Sequence, residues 1–538
     1  MHMYIFAVLL LGIVVFIHEL GHFLFAKLFN VKVLAFSLGF GKPIVKWKKG
    51  DTEYRISMIP LGGYVKMLGE GPAAEQAITE EEIPFSYSHK VWWQKIIIAA
   101  AGAVFNIISA FFVFILISFY NYTAPASVVE FVNPGSPAYI AGIEEGDIIT
   151  EISGKPVSVW EDIHSRMSRL GPKDGKCPEI EIKVQKVFTG KTESYRVTPD
   201  IGSYSNLFGE PVARCEIGVA RLPKNAAVAF TKEVPPFKNG DIIKSVNGVE
   251  IDRFYQLKHV MKKPFSSVKV LRGEKTITLE FSPDDTANIN GKMIHAGTMI
   301  SKIDDDSFSR DAGFLEGDII RSINGREVHF PYQFYSILRN LKENESAEVE
   351  FIRDHSIQTI TFSPSVTEED NRYTGLKDRR VSWGAYFSFD YEIPEVMARR
   401  ISPFAYTFKY AADQTIEVTE TTLKGFVYLI TGKLPAKSIG GPIMIFDISK
   451  KAAEAGFKHF LFVLAVISIN LGIINLFPVP ILDGGHIVMY AFEGISGKTI
   501  PLSVKEKMLT VGLVLLLMLM AFAIFNDFSR YISVFMGI

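Results

Sequence analysis

The sequence predicts a polytopic α-helical membrane protein. It has four transmembrane helices, β elements associated with the membrane on the cytoplasmic side, and three mixed α/β units outside. Three observations carry this: four long apolar stretches, a phrase that recurs three times between them, and basic residues crowded into one short loop. The bulk composition hides all three. The chain has 538 residues, a net charge of 57 − 58 = −1, 48% hydrophobic and 21% charged residues, and two cysteines. Its length suggests three or four domains. A neutral balance without a long basic run excludes a nucleic-acid binder held mainly by phosphate charge. Two cysteines exclude a disulfide scaffold or a Cys-rich zinc ribbon, and the hydrophobic fraction excludes a disordered chain. The mean hydropathy of +0.19 is high for so many charges, so the distribution of apolar residues decides the class.

The first apolar stretch, 3–17, resumes past a polar insert at 23–26. The others are 96–119, 459–481 and 509–525. Each approaches the ~20 residues that cross a bilayer core as a helix. The first is not a cleavable signal: no Lys or Arg precedes it and no small-x-small site follows. Residues 26–95 carry ten Lys or Arg, whereas 119–154 carry none, and the last loop adds Lys498, Lys505 and Lys507. By the positive-inside rule, 26–95 and 482–508 face the cytoplasm, and both termini and the long middle section lie outside. No stretch reads as an outer-membrane barrel strand, so the host membrane is expected to be an α-helical one.

The middle section repeats one phrase: EGDIITEISGKPV at 145–157, NGDIIKSVNGVEI at 239–251 and EGDIIRSINGREV at 316–328. In each copy Gly-Asp turns into a strand and Ser-Gly or Asn-Gly turns out of it. An amphipathic helix follows (160–170, 254–261, 331–341), and two β-rich stretches close the unit. Expected bounds are 121–205, 206–285 (degenerate) and 286–370. The two cysteines, Cys177 and Cys215, fall in different units or their linker and are expected as free, partly buried thiols. Residues 371–456 read as an amphipathic connector, with a helix over 405–430 that suits either a gate or a plain link.

The chemistry-bearing residues sit in the spans. The first, residues 1–30, contains His18-Glu19-Leu20-Gly21-His22. Positions i and i+4 share a helix face, so both histidines can reach one metal, with Glu19 beside it to hold a water. Ionisable groups inside an apolar helix are costly, which makes them functional by default. A catalytic zinc needs a third protein ligand. Asp483 is the preferred candidate, in NLFPVPILDGGH at 475–486, with His486 as rival. Pro478 and Pro480 break that third span (457–490), and irregular backbone at membrane depth lines a polar cavity or is buried in protein. A metal transporter is disfavoured by the lack of an internal hydropathy repeat. A membrane scaffold with a dead site is disfavoured by the intact HExxH.

The repeated phrase, preceded by Ser136-Pro-Ala-Tyr-Ile-Ala-Gly142, resembles PDZ domains of the bacterial protease type. The middle copy departs from the pattern at 234–238. HELGH at 18–22, GAVFN at 102–106, the outer repeats and NLFPVPILDGG together resemble the site-2 protease family of intramembrane zinc metalloproteases, in its regulator-of-sigma-E branch. LITGK at 429–433, GGP at 440–442 and ISINLG at 467–472 extend the likeness over nearly the whole chain; three PDZ-like units instead of two are the departure. The resemblance implies Zn²⁺ on His18, His22 and Asp483, Glu19 as general base, and substrate contacts at Asn475, Asn106 and Gly102. It also likens 36–41 and the alternating residues at 54–59 and 63–67 to the family's membrane-dipping β elements, so Gly39, Phe40 and Gly41 join the substrate-binding set. Implied partners are single-span membrane proteins already cut outside by another protease, the lipid bilayer, and peptide C-termini at the PDZ-like units.

Overall fold

The computed structural model describes residues 3–71, 78–120, 123–205, 211–221, 226–282, 286, 289, 292–339, 341, 345–363, 365–370, 377–387, 397–399 and 403–536. The chain divides into two compact units. One holds the apolar helices and the β elements at 33–67; the other is built from the repeats.

In the helical unit, helix α1 (Met3–Leu28) leads into strands β1 (Val33–Lys49) and β2 (Thr52–Met67). Helix α2 (Trp92–Tyr120) is followed, after the repeats, by α3 (Pro403–Ile430), α4 (Pro442–Glu454), α5 (Phe457–Asn475), α6 (Asp483–Ser496) and α7 (Leu502–Met536). Among the described residues, four helices are long and apolar enough to cross a membrane: Val8–Leu28, Trp92–Tyr120, Phe457–Asn475 and Ser503–Arg530. Leu10 and Val14 of α1, Phe114 and Ile117 of α2, and Leu464 and Ile469 of α5 share one core. The third span ends at Asn475 rather than running on to 490. Residues 476–482 are irregular and α6 starts afresh at Asp483. Pro478 and Pro480 lack the N–H that a helix needs, so the break lies where they stand.

Strands β1 and β2 are longer than the short strands expected. Both bend at bulges and fold back on themselves, giving four rows in the order 63–67, 33–38, 53–56 and 45–49. Ser37 pairs with Tyr64 on one side and Arg55 on the other.

Each repeat has its own main core, Val129 to Ile217, Ala226 to Met293, and Ile300 to Ala385. The same phrase makes the same structure each time. Strands Ile148–Ile152, Asp241–Val246 and Ile319–Ile323 pair with Ile180–Gln185, Ser267–Arg272 and Ala347–Arg353, with a register shift at the same place in all three (Ile149/Glu151, Ile243/Ser245, Ile320/Ser322). The dipeptides Ser153-Gly154, Asn247-Gly248 and Asn324-Gly325 all have positive φ at both residues, the type I′ geometry that matches strand twist. The Asp of each Gly-Asp is buried. Asp147, Asp241 and Asp318 accept the amides of Glu144, Lys238 and Leu315 at 2.9, 2.9 and 2.8 Å. They also pair with Lys186, Arg272 and Arg353 at 3.0, 2.7 and 2.6 Å. Closing the turn and pairing with a half-buried cation explain why the phrase keeps a buried acid there.

Two expectations need correction. The boundaries at 205, 285 and 370 cut each unit before its last strand. Val219–Ala220, Met293–His295 and Ala385–Phe387 return to pair with 131–132, 228–230 and 300–303. Residues 377–387 and 397–399 therefore belong to the repeat unit and not to a connector; 371–376, 388–396 and 400–402 of the expected connector lie outside the described residues. Second, Cys177 and Cys215 are not free thiols. They form a disulfide with Cα atoms 5.8 Å apart. The hairpin of Asp200–Ser205 with Pro211–Glu216 carries Cys215 back into the first core, so both cysteines belong to one unit.

Candidate metal centre

His18 and His22 lie one turn apart on α1, with their rings 4.8 Å apart and edge to face. Asp483 comes from the first turn of α6. Its Oδ2 is 3.1 Å from His18 Nε2 and 3.6 Å from His22 Nε2. One ligand atom from each residue falls within 4.8 Å of the others. His486 is outside this group; it lines the same cavity and lies beside Tyr490. Asp483 Oδ2 is buried without a hydrogen-bond partner, a costly state for a carboxylate oxygen. Two imidazole nitrogens and one carboxylate oxygen, with a position left open, fit a catalytic zinc set.

The surroundings hold the imidazoles in place. His22 Nδ1 donates to Ile98 O at 2.8 Å, which leaves Nε2 as the lone-pair atom facing the cluster. The Asn106 amide lies 3.3 Å from His18 Nδ1, and its own Oδ1 is buried without a partner. A half-turn of that amide puts Oδ1 onto the Nδ1–H and matches the arrangement at His22. Asn475 Nδ2 approaches His18 Nε2 at 3.1 Å. Gly102 allows all this: a Cβ there would lie 2.4 Å from His22 Nε2 and 2.8 Å from His18 Nε2. Helices α1 and α2 also meet at Gly21, where a Cβ would stand 2.4 Å from Ala101 O. Small residues at such crossings let backbones approach closely in membranes.

Glu19 faces the edge row of the sheet. The Val65 backbone amide bonds to its carboxylate, and a Cβ on Gly63 would lie 2.9 Å from Glu19 Cγ. A cavity of about 340 Å³ opens here, lined among others by His18, Glu19, Val65, Glu70, Tyr87 and Asp483.

Asn106 and Gly102 thus touch the histidines, and Asn475 reaches His18. Gly39, Phe40 and Gly41 do not line the cavity. Phe40 stacks on Tyr64 at 6.2 Å, and Gly39 packs under Ile59 O. Sequence reasoning missed the Ile98 carbonyl, Glu70 and Tyr87. A backbone carbonyl has no sequence signal, and the other two lie in an unremarkable polar loop.

Residues 6–519 match the profile of Peptidase family M50. A putative zinc metalloprotease of Neisseria meningitidis is 28% identical over 98% of this chain and 99% of its own length. A putative zinc metalloprotease of Vibrio cholerae is 28% identical over 97% of each chain. The regulator of sigma-E protease RseP of Salmonella typhimurium is 27% identical over 97% of each.

Proposed function

The chain belongs to peptidase family M50, and from that premise we propose that this membrane zinc metalloprotease cuts inside the transmembrane segment of single-span membrane proteins. Its substrates are proteins already trimmed outside by another protease, such as anti-sigma factors or signal-peptide remnants, so the reaction is a step of regulated intramembrane proteolysis. The observation that carries this is a two-His, one-Asp cluster beside Glu19 on a helix otherwise fit to cross a bilayer.

His18, His22 and Asp483 would hold the zinc. When bound, zinc would supply a Lewis acid for the scissile carbonyl. Glu19, kept in place by the Val65 amide, takes a proton from the attacking water. The water oxygen bonds to the carbonyl carbon, the C–N bond breaks, and Glu19 returns the proton to the leaving amine. A helical substrate shelters its amides, so it must first be unwound. The row 63–67 pairs on one side only, with 33–38, and borders the cavity. An extended substrate segment can add to it as a further strand, with Asn475 holding a freed backbone group.

The three repeat units read as PDZ-like and extracytoplasmic, with 31–95 cytoplasmic. Strand Met293–His295 and helix Phe254–Val260 of the middle repeat form one wall of a cavity of about 700 Å³, and residues of the first repeat, Tyr139 and Phe188 among them, form most of the rest. That cleft suits the new C-terminus left by the first cut. The test is cleavage of a model transmembrane substrate by reconstituted protein, with and without chelator. Glu19→Gln keeps its zinc and loses cleavage roughly 10³-fold; an unchanged rate rejects the general-base assignment. Chelator-insensitive cleavage rejects zinc chemistry altogether.

A further inference from the structure

We propose that the β1–β2 ribbon carries a binding surface for anionic phospholipid headgroups, centred on Lys46, Lys48 and Lys49. The inference rests on the cytoplasmic placement of residues 31–95, and its test is independent of proteolysis.

The register sorts the ribbon into two faces. Val45 pairs with Ile56 and Trp47 with Tyr54; Lys46 pairs with Arg55 and Lys48 with Glu53. Residues alternate across a strand, so Val45, Trp47, Tyr54 and Ile56 share one face, and Lys46, Lys48, Arg55 and Glu53 the other. The apolar face continues inward to Phe36, whose ring packs against Phe16 and Phe23 of α1 at 5.8 and 5.3 Å. Its outer end has no protein cover: Trp47, Val45 and Ile56 are 50%, 49% and 45% exposed. Trp47 stacks on Tyr54 with ring centroids 5.4 Å apart, which gives a rigid aromatic plate.

The height of this plate is set by α1. Lys32 pairs with Asp51 at 3.5 Å, and Thr52 Oγ1 donates to Val33 O at 2.8 Å. The hairpin turn is thus tied to the segment that leaves the end of the first span. The opposite end of the ribbon, with Ile44, Met58 and Ile59 exposed, lies away from that tether. An apolar, aromatic surface continuous with a spanning helix belongs in lipid, and Trp and Tyr favour the headgroup level.

Two of the local acids are already engaged. Asp51 holds Lys32, and Glu53 holds Arg55 at 2.8 Å. Lys46, Lys48 and Lys49 are exposed and have no ion-pair partner among the described residues. Three cations at the level where a span meets the cytoplasm match the charge of an anionic leaflet. A protein partner is disfavoured because the neighbouring exposed face is the one that continues into the spanning helix.

The test is hydrogen exchange on the full chain in nanodiscs of phosphatidylcholine alone or with phosphatidylglycerol added. Amides of 45–49, the outer row, should exchange about tenfold more slowly with phosphatidylglycerol present. Lys46→Gln/Lys48→Gln/Lys49→Gln should remove that difference; these side chains are solvent-exposed, so the fold persists, which unchanged exchange in the repeat units checks. Equal exchange in both lipids, or a difference that survives the triple variant, overturns the proposal. A difference reproduced by soluble glycerol phosphate in phosphatidylcholine discs also overturns it, in favour of a free-phosphate site.

Discussion

Gly102→Ala tests the geometry of the metal centre most directly. The added methyl would sit 2.4 Å from His22 Nε2, whereas ordinary van der Waals contact begins at 3.4 Å, so the shortfall is 1.0 Å. The His22 ring cannot simply swing aside. It is buried, and its Nδ1 is bonded to Ile98 O at 2.8 Å. His18 is crowded by the same methyl at 2.8 Å. Zinc–nitrogen bonds are about 2.0–2.1 Å with a tolerance of ~0.2 Å. A displacement of one ångström therefore removes a ligand. Loss of an outer supporting group alone costs 10–100-fold in metal affinity. A displaced ligand should cost at least ~100-fold, or about 2.7 kcal/mol. The assay is zinc competition against a chromophoric chelator on purified full-length protein, with thermal unfolding in excess chelator to isolate the packing effect. Overpacking by one methyl should lower the metal-free stability by about 1–3 kcal/mol. Ala103→Gly, on the next residue of the same helix, should leave zinc affinity unchanged. Stoichiometric zinc at wild-type affinity in Gly102→Ala would refute the close approach of α1 and α2 described above.

Other expectations follow from the same structure. Asp483→Ala should abolish stoichiometric zinc while His486→Ala keeps it, measured by elemental analysis; the reverse pattern would transfer the ligand role to His486. Joining residues 38 apart, the disulfide should stabilise the first repeat by about 3–4 kcal/mol. Cys177→Ser/Cys215→Ser should show that loss as a lower unfolding temperature, and an unfolding curve indifferent to reductant would contradict it. Asp527, buried near the end of α7, accepts the amides of Gly441, Ile443 and Met444 at 3.0, 2.9 and 3.2 Å. Asp527→Ala should destabilise α4 by about 2 kcal/mol, seen as faster proteolysis of residues 436–444; unchanged proteolysis would rule out that capping role.

The chemistry was legible because its pattern is local. HExxH places two candidate ligands and a candidate base within about one helical turn, and an apolar context makes them conspicuous. The Gly-Asp phrase was legible for the same reason: a turn, a strand and a type I′ dipeptide lie within thirteen residues. Pro478 and Pro480 announced the break before Asp483. The closing strands Val219–Ala220, Met293–His295 and Ala385–Phe387 were not legible. Each is two or three residues long and finds its partner across most of a domain. The disulfide was missed because the boundary drawn at 205 placed its cysteines in different units.

By itself, then, the sequence determined what short-range sterics and polarity dictate. Those are the apolar stretches, the paired histidines of HExxH, the proline break and the threefold phrase. Only the tertiary structure decided which distant groups meet: Asp483 against the histidines, the Ile98 carbonyl on His22, Gly102 under both rings, and Val65 on Glu19. These contacts join residues dozens to hundreds of positions apart. The Ile98 and Gly102 contacts exist because α1 and α2 cross where neither side chain nor backbone leaves spare room, while Asp483 and Val65 arrive on α6 and β2; no local pattern encodes such meeting points.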